Sequence, residues 1–237
     1  MLVPSGVRLG AVISRSRPLL LGSASPRRSS LLAHLGLPFV VLPADIVEDA
    51  EPGERPHAYL ERIAGAKLAA VQARLASAGR LPDAPHGVAG ILVADTTVVI
   101  DDSIVGKPAD VADAVSTLNR LVGRTHTVLT RYLVARVPAA PGVAAEVQRT
   151  VETLVTLRAA SAEEVLGYAR SGEGLDKAGA YAAQGLGAFL VEAVSGSYTN
   201  VVGLPLCELV SDLKQVGLLG AFPADLAAFD TPPSGEG

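Results

Sequence analysis

Ile91-Leu92-Val93-Ala94-Asp95-Thr96-Thr97-Val98-Val99-Ile100 is the stretch on which the fold turns. The five residues after Asp95 are all β-branched, a composition that fits a pleated surface and loses rotamer freedom in a helix. Residues 91–100 are therefore predicted as a strand, with a carboxylate in its middle. A carboxylate in an apolar strand is costly to bury unless it is paired or holds a metal. The alternative, a strand end or bulge where Asp95 merely bonds backbone, is opposed by the β-branched run that continues past it. Asp95 is the most telling residue in the chain.

Outward from this strand the pattern alternates. Residues 18–22 read as a short buried strand, followed by Ser25-Pro26, an N-cap residue with proline at the first helical position. Leu31, Leu32 and Leu35 continue that helix, and Gly36 stops it. Residues 39–42 read as a strand, 44–56 as an acidic loop and 56–78 as the longest helix. Residues 81–90 form a loop rich in proline and glycine. A helix is predicted at 110–121, paired strands at 125–137 and 147–158 with a hairpin loop at 138–145, and a helix at 161–170 opened by a Ser161/Glu164 capping box. A glycine-rich segment at 172–187, a strand at 188–194 and a helix at 205–216 complete the chain. The tail after Gly217 is expected to be loose or only partly docked. Alternating strands and helices interrupted by a hairpin predict an α/β protein with a mixed sheet. Residues 1–17 read as an N-terminal extension, 18–218 as the domain and 219–237 as a C-terminal tail.

Composition narrows the function. The chain of 237 residues is 49% hydrophobic and 19% charged, long and apolar enough to bury a core and too apolar to be disordered. A formal net charge of -4 supplies no basic field for nucleic acid. No apolar stretch approaches the roughly 20 residues of a membrane span, and the N-terminus lacks a clear cleavage site, so a cytoplasmic protein is expected. Cys207 is the single cysteine and the four histidines are scattered. A metal, if bound, would be held by oxygen and be Mg²⁺ or Mn²⁺. The basic residues are sixteen Arg and only four Lys (Lys67, Lys107, Lys177 and Lys214), which draws attention to each lysine retained.

Several constellations carry possible chemistry. Gly22-Ser23-Ala24-Ser25-Pro26-Arg27-Arg28 leads a strand into a helix N-terminus bearing two arginines. Arginine in the first turn opposes the helix dipole, so a compensating anion is the better account of it. The spacing is neither that of a P-loop nor that of a dinucleotide fold. Gly106-Lys107-Pro108 is a weak signal alone, and the acidic run 45–51 is either a cation ligand set or a solvated loop. Lys67, mid-helix, either snorkels or enters a cleft. Around Tyr181 and Gln184, small residues permit a flat ligand to approach or simply pack a turn. Residues 197–205 read as structural. The combined inventory of anion donors, Glu48 and Asp95 as carboxylates, and Gln184 as an amide suits metal-assisted chemistry on a polyphosphate ester. No Ser-His-Asp set for acyl transfer is evident.

Six ordered motifs carry a resemblance: S-A-S-P-R-R at 23–28, A-D-T-T-V-V at 94–99, G-K-P at 106–108, R-T-H-T-V at 124–128, D-K-A-G-A-Y-A-A-Q-G at 176–185 and N-V-V-G-L-P-L at 200–206. Together they resemble the Maf family of nucleoside triphosphate pyrophosphatases. The resemblance implies an elongated mixed sheet with flanking helices and two lobes around a central cleft, often in a homodimer. It implies Asp95 as general base or metal-organising carboxylate, with Glu48 on the metal side, although Asp45 is not excluded by spacing. Ser23, Arg28, Lys67 and Lys107 match the phosphate side, and Arg27, Thr96 and Gln184 go with substrate choice. The A-G-A-Y-x-x-Q-G pattern is similar to the branch preferring dTTP and UTP. The implied reaction releases the nucleoside monophosphate and pyrophosphate. A nucleotide-binding regulator of cell division and a hydrolase selective for 7-methyl-GTP or purines are the alternatives. Ala182-Ala183 in place of a more usual Gly-Ile, and Thr130-Arg131-Tyr132 in place of small residues, depart from the family pattern.

Overall fold

The computed structural model describes residues 13–79, 81–137 and 144–223. Seven strands form one mixed sheet: β1 (Leu19–Leu21), β2 (Phe39–Val41), β3 (Gly90–Ile100), β4 (Ser103–Val105), β5 (Thr125–Arg136), β6 (Glu146–Leu157) and β7 (Val191–Ser195). Their order is β2-β1-β3-β5-β6-β7, with β4 folded back on the far end of β3. β1 pairs parallel with β2 and β3, and every other pairing is antiparallel. Six helices flank it: α1 (Pro26–His34), α2 (Pro56–Ala78), α3 (Val111–Leu121), α4 (Ala162–Arg170), α5 (Tyr198–Val202) and α6 (Leu206–Gln215).

β3 packs against three apolar clusters, and this explains its sequence. In its first half, Leu92 and Ala94 face a cluster with Leu31 and Leu32 of α1 and Leu209 and Leu213 of α6. Ile91 and Val93 face Ala64, Leu68 and Val71 of α2 on the other side. In its second half, Val98 and Ile100 enter a separate cluster with Leu118 and Leu121 of α3 and Val165 and Tyr168 of α4. Asp95, Thr96 and Thr97 fall between, outside all three clusters. A strand buried on both faces carries near-continuous apolar sequence, so a polar break in it marks a gap between packed layers.

Most predicted elements appear within a residue or two. Three differ. The 188–194 strand begins only at Val191, because Gly185–Leu190 winds as a 3₁₀ helix instead. β4 is not among the predicted elements, and it forms because Asp101 and Asp102 adopt positive φ and reverse the chain onto β3. α5 is one turn of helix capped by Ser197, whose hydroxyl accepts from Asn200 N–H. Part of the 138–145 hairpin loop lies outside the described residues. Outside the strands and helices, Ile13 and Leu218 are buried in the first of these clusters and joined backbone to backbone, so packing extends beyond β1 and α6.

Gly22 shows how close α2 packs to the sheet. A Cβ there would meet Val71 Cγ2 and Val93 Cγ1, each at 2.7 Å. Valine side chains are stiff at χ1, so Gly22→Ala is expected to cost about 1–3 kcal/mol in urea unfolding. Adding Val71→Ala is expected to recover part of that loss.

Candidate functional site

The polar break in β3 opens onto a cavity of about 1060 Å³, of the size that ligand sites take. Ser23, Arg27, Arg28, Glu48, Lys67, Asp95, Thr96, Lys107 and Gln184 all line it. Residues from six separate stretches of chain thus meet in one place. Asp45 does not line the cavity, whereas Glu48 and Asp49 do.

At its centre Lys67 reaches from α2 to the strand. Its Nζ lies 2.6 Å from Asp95 Oδ1 and 2.9 Å from Glu48 Oε1. Lys67 and Asp95 are buried, while Glu48 is partly open. Lys67 lies four residues from both Ile63 and Val71, so it occupies a core position of the α2 stripe. Its burial and its contact with Asp95 show that it enters the cleft and does not snorkel, a choice that spacing alone leaves open. Burial raises the Glu48 carboxyl, but the Lys67 ammonium, with Lys107 and Arg28 further off, holds it below the ordinary range. The Tyr59 hydroxyl donates to Glu48 O at 3.0 Å. Burial first, then the charges of Asp95 and Glu48, pushes that phenol above its usual range. Sequence placed Tyr59 only in an apolar face, because a tyrosine at helical spacing looks like any core aromatic.

The opposite face of β3 carries a second charged arrangement. Arg28 is buried, donating from Nε to Gly203 O (2.9 Å), from Nη1 to Ser23 Oγ (2.9 Å) and from Nη2 to Thr96 Oγ1 (3.1 Å). Burial lowers its pKa, and the negative charges of Asp95 and Glu48 counter this. Thr96 Oγ1 also meets Thr130 Oγ1 at 2.9 Å, so its hydroxyl is engaged by protein groups. Asn200, fully buried, donates to Val128 O and Thr153 Oγ1. The 200–206 motif is thus structural in its asparagine and supplies the site through the Gly203 carbonyl.

Ser25 stands at the N-cap of α1, yet its side chain makes no capping bond and the first turn holds no acid. The N–H groups of that turn therefore have no carboxylate partner from their own helix, and Ser25, Pro26, Arg27 and Arg28 line the cavity. Arg27 meets Asp176 at 3.5 Å, linking α1 to the 176–185 motif. Lys107 is exposed after β4 and makes no hydrogen bond with a described residue.

Across the cavity Tyr181 is buried, its hydroxyl 2.8 Å from His126 Nε2. Burial depresses the His126 pKa to about 4, so the ring is neutral in the folded state. As pH falls from 6.5 toward 4, the unfolded chain takes up a proton there that the folded chain refuses. Stability is lost over that window, by up to about 3 kcal/mol. His126→Gln is expected to remove this component, so urea titrations of variant and parent should converge as pH falls from 7 to 4.5. Parallel curves would show that His126 does not titrate this way.

Residues 18–216 match the family described as Maf-like protein. A dTTP/UTP pyrophosphatase of Syntrophotalea carbinolica is 42% identical over 219 residues, 91% of this chain and 93% of its own. One from Myxococcus xanthus is 46% identical over 200 residues, 84% of this chain and 93% of its own. One from Geobacter metallireducens is 45% identical over 201 residues, 85% of this chain and 97% of its own.

Proposed function

The chain belongs to the Maf family, and we propose that it hydrolyses nucleoside triphosphates, dTTP and UTP foremost, to the monophosphate and pyrophosphate. The observation that carries this reading is Asp95, buried on a central strand and open to a cavity flanked by arginines and lysines. The names of the relatives support the substrate class.

Asp95 takes the proton of the attacking water. Lys67, bonded to Asp95, holds that carboxylate in place and adds positive charge toward the phosphates. Arg27, Arg28 and Lys107, with Ser23 and the α1 N-terminus, hold the triphosphate chain and neutralise the departing pyrophosphate. Positioning and charge supply most of the rate in phosphoryl transfer. Thr96, already bonded to Arg28, orients that guanidinium and faces the substrate with it. Gln184 presents an amide that pairs with the edge of a pyrimidine.

Two carboxylates converge on the Lys67 ammonium, and Mg²⁺ is commonly held by one or two carboxylates together with substrate oxygens. The donor set of Asp95 and Glu48 fits Mg²⁺ or Mn²⁺ in that manner. The cavity lining adds a reason: Arg27, Arg28, Lys67, Lys107 and Lys177 are matched by Glu48, Asp49, Asp95, Glu173 and Asp176. With five charges of each sign, the protein alone offers a triphosphate little net attraction. A divalent cation held there by Asp95 and Glu48 would supply the missing positive charge and Lewis-acid polarisation of the phosphate. The reading extends to an 18–218 catalytic unit, a homodimer and a cytoplasmic site of action. Among the described residues no helix is long and apolar enough to cross a membrane.

Asp95→Asn is expected to lower turnover by about 10²–10⁴-fold with an unchanged circular dichroism spectrum, since the amide oxygen can still accept from Lys67. The assay is pyrophosphate release across a nucleotide panel with Mg²⁺ and Mn²⁺, and wild-type turnover in this variant removes the proposed base. Gln184→Ala is expected to flatten the UTP-over-GTP preference by about tenfold or more. An unaltered ratio would place base reading elsewhere.

A further inference from the structure

We infer that Glu173 is a positioning residue for nucleobase choice, holding the 182–187 segment so that the Gln184 amide is free to meet the base. The inference rests on the proposed reading of Gln184 and adds the residue that prepares it.

Glu173 follows the turn after α4 and sends its carboxylate back to the segment beyond Gln184. Oε1 accepts from Leu186 N–H at 2.8 Å and Oε2 from Gly187 N–H at 2.7 Å. Gln184 is the N-cap of the 3₁₀ helix Gly185–Leu190, a position whose side chain often bonds the first N–H groups. Here it makes no such bond. Glu173 does the capping instead, and no described residue pairs with the Gln184 amide, which lines the cavity. An amide spent on capping its own helix would have one fewer group for a ligand.

The other end of the segment is fixed through Tyr168. Its hydroxyl donates to Glu173 Oε2 at 3.0 Å and accepts from Ala182 N–H at 3.0 Å. Gln184 is thus anchored on both sides by backbone bonds leading to one carboxylate. Gly185 is what permits the approach: its φ is +69°, and a Cβ there would lie 2.3 Å from Glu173 Oε1. Burial raises the Glu173 carboxyl, but the N–H groups of Gly187 and Leu186 outweigh it and hold it ionised below its ordinary value. Hydrogen bonds to a charged acceptor are shorter and roughly twice as strong as neutral ones.

Glu173→Gln keeps the size and removes the charge. It turns an NH₂ toward one of the two N–H donors, which it cannot accept. The experiment uses the full chain as wild type, Glu173→Gln, Tyr168→Phe and Gln184→Ala, measuring pyrophosphate release from UTP and GTP and inhibition by inorganic tripolyphosphate. For Glu173→Gln the KM for UTP is expected to rise about tenfold and kcat to change less than about threefold. The UTP/GTP ratio should fall toward that of Gln184→Ala, with tripolyphosphate inhibition not weakened. Tyr168→Phe should move the ratio in the same direction by less, and it decides the matter if Glu173→Gln does not fold. A wild-type ratio in these variants beside a flattened one in Gln184→Ala overturns this inference alone. Equal losses of kcat and tripolyphosphate affinity in Glu173→Gln show a general structural role and also overturn it. An unchanged ratio in Gln184→Ala, or no turnover by wild type, fails the underlying reading in arms that do not involve Glu173.

Discussion

A carboxylate can be buried in the middle of the central strand only because an ammonium reaches it from the neighbouring helix. Breaking a buried ion pair leaves an uncompensated charge and costs roughly 3–5 kcal/mol. The Lys67–Asp95 contact at 2.6 Å therefore fixes where α2 lies against β3. Once α2 is placed, Tyr59 meets the backbone of Glu48, and the acidic loop is drawn to the same ammonium. The close approach at Gly22 belongs to the same constraint, since Val71 lies one turn beyond Lys67 on α2.

Arg28 performs the corresponding task on the other face of β3. Its three bonds join the β1–α1 loop, β3 and the chain after α5. The strand thus carries opposite requirements on successive residues: Asp95 toward α2 with its lysine, Thr96 toward α1 with its arginine. Alternation of side chains across a strand makes this possible with two adjacent residues. Both faces deliver charge to one cavity, because β3 passes there from the two clusters packed on its first half to the one packed on its second.

Much of this was legible in the sequence, for identifiable reasons. A β-branched run with one acid in it has few readings, and the proline and capping residues at Pro26, Asp110 and Ser161 mark helix starts through local chemistry. The convergence of the site residues was legible through the ordered motifs, since spacing alone leaves Lys67, Lys107 and Glu48 undecided. What sequence did not give depends on distant partners. β4 forms by reversal through two aspartates with positive φ, a conformation uncommon outside glycine. The 3₁₀ segment that displaces the start of β7 is capped by Glu173, far enough back in the chain that no local pattern announces it. Tyr59 and Glu173 escaped notice because each looks ordinary beside its own neighbours.

The departures from the family pattern acquire physical meaning in the structure. Tyr132 donates to Asp212 Oδ2 at 2.6 Å, and Arg149 bonds both oxygens of that buried carboxylate. A large residue on β5 is thereby paired with an acid on α6, which anchors the final helix to the sheet. Arg131, the register partner of Asp95, turns toward Glu61, Thr150 and Gln148 and does not line the cavity. Thr130 alone among the three connects with the site, through Thr96. At positions 182 and 183 the segment is held by its backbone, through Ala182 N–H and the Tyr168 hydroxyl, so a change of side chain there leaves the anchoring of Gln184 intact. On the reading proposed for Gln184, base choice then depends less on which small residues precede the glutamine than on whether the carboxylate behind it is present.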